Sequence, residues 1–345
     1  MLNHTKHTIQ SGAPLKEALK KLNDVPKNLS LFVINTNKQL IGTLTDGDIR
    51  RGLLEGIPVE AKVDYFMFKN FHALHGTPNP REIHPLRELG IRLLPVLDDN
   101  KRITKILDLK QIKSFLPADA VIMAGGKGER LRPLTEKTPK PMLPLGNKPI
   151  IEHNIDHLKK YGITNIHISI NYLGQQLIDH FDDGSSRDLN IHYIEEKSPL
   201  GTIGSVGLIE KFDNPYIMVM NSDLFTDADF EDMWLSMDEL NADMCVASIP
   251  YSVNIPFAIM ERTNGFISGL KEKPTNNYYA NAGIYLFKKD ILKYIPRNTK
   301  FNATDLIETL LNEGKKVIDV PITGYWIDIG RHEEYEKAKE IIKHL

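Results

Sequence analysis

A chain of 345 residues with 41% apolar and 26% charged side chains has the makeup of an ordinary soluble globular protein and the length for more than one core. Its formal net charge of −2 provides no global field toward nucleic acid or an anionic membrane, so neither is expected as a partner. One cysteine, Cys245, excludes an intrachain disulfide framework; no apolar run could span a bilayer, and the N-terminal MLNHTKHTIQ lacks a signal-peptide core, so a cytoplasmic protein is expected.

The first elements repeat. Residues 31–48 (LFVINTNKQLIGTLTDGD) align with 94–111 (LPVLDDNKRITKILDLKQ), placing Leu31 on Leu94, Val33 on Val96, Lys38 on Lys101 and Leu44 on Leu107. Each copy reads as strand, polar turn, strand, the turns being Asn35-Thr36-Asn37-Lys38 and Asp98-Asp99-Asn100-Lys101. Leu15, Ala18, Leu19 and Leu22 recur at helical spacing before the first copy, and a helix interrupted by Pro85 is expected before the second. A short helix over DGDIRRGLLEG, closed by Gly56, follows the first copy, and another is expected over Leu109–Phe115. Two similar units sharing a core follow from this pattern, with a boundary at Pro117-Ala118 that predicts domains at 1–117 and 118–345.

Beyond the boundary, strand candidates at 119–123, 166–171, 191–195, 216–220, 244–249, 282–287 and 317–321 alternate with helical patterns. Ile151, Ile155 and Leu158 form one helical face, and Leu177, Ile178 and Phe181 another. This alternation predicts an α/β domain around a mostly parallel sheet, with ligands bound beyond the carboxyl ends of its strands.

Two kinds of residue occupy those ends. Ala124, Gly125, Gly126 and Gly128 follow the first strand and can present backbone N–H groups to an anion, while Arg130 and Lys140 add fixed positive charge. The loop is neither a Walker A sequence nor a dinucleotide fingerprint, since Leu131 stands where a third glycine belongs. Its alternative is a tight structural turn with solvated cations. Asp223, after the fourth strand, and Asp328, within Tyr325-Trp326-Ile327-Asp328, could share Mg²⁺ with the phosphates of a bound triphosphate. Either aspartate alone would serve as readily as a helix cap.

Residues 5–117 resemble a pair of CBS modules, best in Ile41-Gly42-Thr43-Leu44-Thr45-Asp46-Gly47-Asp48. The resemblance implies that Thr45 holds phosphate and Asp48 ribose of an adenine nucleotide. Asp108 and Gln111 replace them in the second copy, so one nucleotide site at most is expected, the alternative being a packing or dimerising module without ligand. Residues 119–340 resemble sugar-1-phosphate nucleotidyltransferases through five ordered stretches: the glycine loop with Pro139-Lys140-Pro141, Ser198-Pro199-Leu200-Gly201-Thr202, Asn221-Ser222-Asp223, Lys271-Glu272-Lys273-Pro274 and Trp326-Ile327-Asp328-Ile329-Gly330. This implies a Rossmann-like domain behind an α+β tandem CBS domain. The implied reaction joins a nucleoside triphosphate to a sugar 1-phosphate, releasing pyrophosphate.

By the same resemblance, Arg130 and the glycine loop hold the β- and γ-phosphates, Lys140 the α-phosphate, Asp223 and Asp328 Mg²⁺, and Lys273 the sugar phosphate. Glu272, Asn281 and Gly283 line the sugar pocket, and Gly201 and Thr202 lie beside the base. Glu196 suits guanine, whose paired N–H donors match a carboxylate, unless it faces solvent at a strand end. GTP with glucosamine or mannose 1-phosphate is therefore expected. A thymidylyl- or uridylyltransferase acting on glucose 1-phosphate is the alternative, and a non-catalytic nucleotide-sensing subunit is a rival of another class. A homo-oligomer is expected from the CBS pair.

Overall fold

The computed structural model describes residues 4–25 and 30–344. They divide into two compact units, one running to Leu116 and one from Pro117, with Lys160–Gly162 grouped with the first.

The first unit holds the repeat as two three-stranded sheets of the same topology. Thr8–Gln10, Ser30–Ile34 and Leu40–Thr45 form one; Leu74–His75, Leu93–Leu97 and Ile103–Asp108 form the other. In both, the first pair is parallel and the second antiparallel. Even the turns match. The Asn35 side-chain oxygen accepts from the N–H groups of Asn37 and Gln39, and Asp98 accepts likewise from Asn100 and Arg102. Lys38 and Lys101 both take the left-handed conformation, with φ of 63° and 61°. Such a short polar residue at the turn's start folds the chain on its own backbone, so the duplication is legible in the hydrogen bonds. Helix Leu15–Asp24 buries Leu15, Ala18 and Leu22 against the first sheet, as its spacing predicts. Pro85 sits inside helix Pro80–Glu88, which continues through it. No helix forms over Leu109–Phe115. The Asp108 side chain accepts from Lys110 N at 3.1 Å and ties the backbone into a turn instead.

All seven strand candidates of the second unit lie in one sheet. They are β1 (Ala118–Met123), β2 (Asn165–Ile170), β3 (Asn190–Glu195), β4 (Tyr216–Asn221), β5 (Met244–Asn254), β6 (Thr275–Lys288) and β7 (Val317–Pro321). Their spatial order is β3-β2-β1-β4-β6-β5-β7, and β6 alone runs antiparallel to its neighbours. Val121, Ile217, Val219 and Phe287 are buried in its core, against helix Ala303–Asn312 through Leu306 and Leu310. The Asn302–Asp305 capping box starts that helix. Strands β5 and β6 run well past the sheet as a two-stranded arm, and between them Ile259–Thr263 and Phe266–Lys271 pair as a further hairpin.

Candidate active site

Two strands of three residues bring the distant aspartates together. Leu224–Thr226 pairs antiparallel with Trp326–Asp328, and its first rung is Leu224 opposite Asp328. Asp223 therefore stands beside Asp328, and its carbonyl accepts from Ile329 N at 3.0 Å. Asn154 steadies the turn from a buried position, donating to the Ser222 carbonyl at 3.2 Å. Lys140, only 9% exposed, reaches both carboxylates: its ammonium donates to Asp223 and lies 3.8 Å from Asp328 Oδ1.

The charges do not cancel. Burial, and then repulsion from Asp223, push the Asp328 carboxyl above the usual range although Lys140 and Arg130 pull it down. Asp223 Oδ1 and Asp328 Oδ1 are buried without a hydrogen-bond partner among the described residues. Two such acceptors in one place fit a hard divalent cation that prefers oxygen and completes its shell from phosphate. No group of three or more acidic, histidine or cysteine side chains with metal-ligand geometry occurs among the described residues.

The glycine loop closes this corner. Gly128 has φ of 63°, and a Cβ there would stand 2.9 Å from the Thr135 methyl and 3.0 Å from Lys140 Cβ. A side chain would thus displace the lysine as well as strain the backbone. Thr135 donates to the Gly128 carbonyl at 2.8 Å, locking the turn. Arg130 is exposed; it faces Gly330, where an added Cβ would be 3.1 Å from the guanidinium, and so lies on the Asp328 side.

A cleft of about 330 Å³ opens beyond the ends of β1 and β4. Gly125, Gly126, Lys140, Glu196, Gly201, Thr202 and Asp223 all line it. Glu196 is buried rather than solvent-facing: its Oε1 accepts from the Ser169 hydroxyl and its Oε2 from Leu200 N at 3.1 Å. Each oxygen keeps further acceptor capacity toward the cleft. Gly201 has φ of 82°, and a Cβ there would meet the Phe301 carbonyl at 2.5 Å. The Thr202 hydroxyl accepts from Ala303 N at 2.9 Å, so it holds the loop to the start of the following helix.

Not every expected residue reaches the cleft. Ala124 is buried behind it, donating its N–H to the Ser169 carbonyl. Asn281 and Gly283 sit on β6 beside Asn221, with Asn281 Oδ1 accepting from Gly283 N at 2.9 Å, outside the lining. Glu272 and Lys273 are exposed on the arm and line no part of it. Lys300 lines the cleft and went unnoticed in the sequence, where it belongs to no motif and precedes Phe301 in a loop. Its only signal was its place just before the Asn302 cap.

A second cleft of about 320 Å³ lies in the first unit, lined by Thr45, Phe32, Phe68, Phe71 and Arg92 among others. Asp48 is not in its lining. Its Oδ2 accepts from Thr45 N at 2.8 Å and Thr45 Oγ1 at 2.6 Å, and its Oδ1 from Arg51. The Thr-x-x-Asp pattern is thus a capping box for helix Asp46–Leu54, with both its polar groups engaged.

Comparison with known proteins agrees with this architecture. The chain belongs to the nucleotidyl transferase family, whose model matches residues 119–344, and a CBS domain model matches residues 3–55. The bifunctional protein GlmU of Methanocaldococcus jannaschii is 33% identical over 232 residues, covering 65% of this chain and 54% of that protein. A Mycobacterium tuberculosis mannose-1-phosphate guanylyltransferase is 31% identical over 228 residues, covering 64% and 63%. The chain thus spans roughly half to just under two thirds of the length of these relatives. A Bacillus anthracis structure described as a glucose-1-phosphate thymidylyltransferase superposes with TM-score 0.55 at 26% identity, over 66% of this chain and 96% of that one. HddC from Yersinia pseudotuberculosis gives 0.50 at 25% identity in its complex with GMP-PN, over 65% and 99%.

Proposed function

We propose that the protein transfers a guanylyl group from GTP to a hexose 1-phosphate, with release of pyrophosphate. The observation that carries this is the pair of buried, unpartnered carboxylate oxygens of Asp223 and Asp328 beside Lys140, at the mouth of a glycine-lined cleft. Asp223 and Asp328 would hold Mg²⁺, which would supply charge neutralisation at the triphosphate.

The protein's own residues do the rest. The sugar phosphate oxygen is already an anion, so no general base is required, and the barrier is the approach of like charges. Gly125 and Gly126 let the triphosphate come close to backbone N–H groups. Lys140, held at the carboxylates, is placed to follow charge as it moves from the attacking phosphate to the departing pyrophosphate. Lys300 adds a second cation on the cleft wall, and Arg130 a third beside Asp328. Lys273 and Glu272 would reach the sugar phosphate only if their arm carries them to the cleft. Holding both anions in line is itself worth several orders of magnitude in rate.

Guanine is favoured by Glu196. With one donor already on each oxygen, it retains one acceptor site per oxygen, a match for guanine N1–H and N2–H and a mismatch for the carbonyls of thymine and uracil. Relatives that carry guanylyltransferase names, and a structural neighbour crystallised with GMP-PN, point the same way. Pyrophosphate release measured with each of four nucleoside triphosphates, Mg²⁺, and mannose, glucosamine or glucose 1-phosphate tests the reading. GTP should lead, and Glu196→Gln should cut the GTP-to-TTP ratio at least about tenfold. An unchanged ratio would reduce Glu196 to a residue that positions the Leu200 loop. No release with any triphosphate would favour a non-catalytic nucleotide sensor.

A further inference from the structure

The transfer reaction brings two anions together, and each needs positive charge of its own. Two cations line the cleft among the described residues, Lys140 and Lys300. Lys140 is engaged by Asp223 and Asp328, and it shares residues 125–140 with the glycine loop and Arg130, the segment that takes the triphosphate. The attacking phosphate must approach in line, away from the departing pyrophosphate and so away from Arg130 and the glycine loop. Glu272 and Lys273 are exposed on the arm and outside the lining. Lys300 is the cation of that lining still to be assigned. Its ammonium has no ion-pair or hydrogen-bond partner among the described residues, although Glu196 lines the same cleft.

The backbone that carries Lys300 is held in place. Phe301 N donates to the Leu200 carbonyl at 2.9 Å, and the Phe301 carbonyl accepts from Ile203 N at 3.2 Å and from Gly204 N at 3.1 Å. This docking needs glycine. A Cβ on Gly204 would stand 2.7 Å from the Thr299 carbonyl, and one on Gly201 would stand 2.5 Å from that of Phe301. Leu200 N is in turn the donor to Glu196 Oε2. Residues 299–302, the Leu200 loop and Glu196 therefore form one connected wall, and Lys300 stands on it with only its side chain left to move.

We propose that Lys300 binds the phosphate of the incoming hexose 1-phosphate. The inference rests on the transfer reading above and adds to it the residue that receives the second substrate. A lysine ammonium is a compact, strongly hydrated charge, and an anionic phosphate oxygen compensates its loss of water better than a neutral base carbonyl does. The exposed position suits this task. The ammonium stays hydrated until the anion arrives, and its flexible stem lets it follow that phosphate as it closes on the nucleotide.

The test is calorimetry on the full chain with mannose, glucosamine and glucose 1-phosphate, each titrated with and without α,β-methylene-GTP and Mg²⁺, so that no turnover intervenes. Lys300→Met, which keeps the length of the stem, should weaken binding of the sugar phosphate at least about tenfold, and Lys300→Arg should restore most of it. Affinity for the GTP analogue should change less than about twofold, and in turnover the KM for the sugar phosphate should rise more than that for GTP. Unchanged hexose 1-phosphate binding by Lys300→Met overturns the proposal. So does a loss that falls on the nucleotide alone, and so does an unaltered chain that binds none of the three sugar phosphates. The transfer reading fails by a different result, an unaltered chain that releases no pyrophosphate while it still binds a hexose 1-phosphate through Lys300.

Discussion

Two clefts of nearly equal volume lie in this chain, about 320 Å³ in the first unit and about 330 Å³ in the second. Each has a hydroxyl or amine close to a carboxylate that sequence patterns mark as ligand-binding. In the first, Thr45 and Asp48 satisfy each other and cap a helix. In the second, Lys140 hydrogen-bonds Asp223 and stands 3.8 Å from Asp328, and one oxygen of each aspartate is left over. The two motifs thus differ in how much of their bonding capacity the fold consumes.

The largest test of this contrast is on the side of excess. Asp223→Asn, or Lys140→Ala, should lower pyrophosphate release at least about 10²-fold at saturating Mg²⁺, because charge at the reacting phosphate loses its counter-ion. Unchanged turnover would remove that residue from the transfer step. An orphaned atom outside both clefts supplies a control. His167 Nε2 is buried without a hydrogen-bond partner among the described residues, and burial, with His192 stacked at 5.1 Å, pulls its pKa down to about 4. The unfolded chain takes up this proton near pH 6.5 and the folded chain only near 4, so stability should fall as pH drops through that window. The loss should be on the order of 2 kcal/mol, read from urea midpoints, and His167→Gln should flatten it. Failure to flatten it would place the acid sensitivity elsewhere.

On the satisfied side, Asp48→Ala should cost about 1 kcal/mol of stability in the first unit through loss of its cap. Calorimetry should show an adenine nucleotide, where one binds, still binding this variant; abolished binding with an intact helix would restore Asp48 as a ribose ligand. The smallest effect concerns Asp328. Because its folded pKa is raised, its ionised form opposes folding, so the contribution present below the unfolded value of 3.8 is lost as pH rises. Asp328→Asn should then raise the melting temperature slightly at neutral pH without Mg²⁺, with no gain in acid. The same variant should lose the thermal shift given by Mg²⁺ with GTP. A retained shift would argue against Asp328 as a ligand.

Much of this was legible beforehand, for physical reasons. The seven apolar runs became the seven strands because strands buried on both faces need continuous apolar sequence. The duplicated turns were visible because asparagine and aspartate fold the chain locally. The meeting of Asp223 with Asp328 was not, since two strands of three residues a hundred positions apart carry no period. Their adjacency could only be borrowed from a resemblance. Glu196 was read for its charge, while its burial depended on Ser169 from a neighbouring strand. The extension of β5 and β6 past the sheet escaped because alternation in a strand does not say whether a face is covered.

Lys38 and Lys101 hold the same left-handed turn in the two halves of the first unit. The repeat therefore extends from sequence to backbone geometry, with the same hairpin turn built in both halves. Thr45 and Asp48 in one half correspond in the alignment of the repeat to Asp108 and Gln111 in the other, so the same capping pair is not rebuilt there. The halves share a backbone and differ in the side chains set on it.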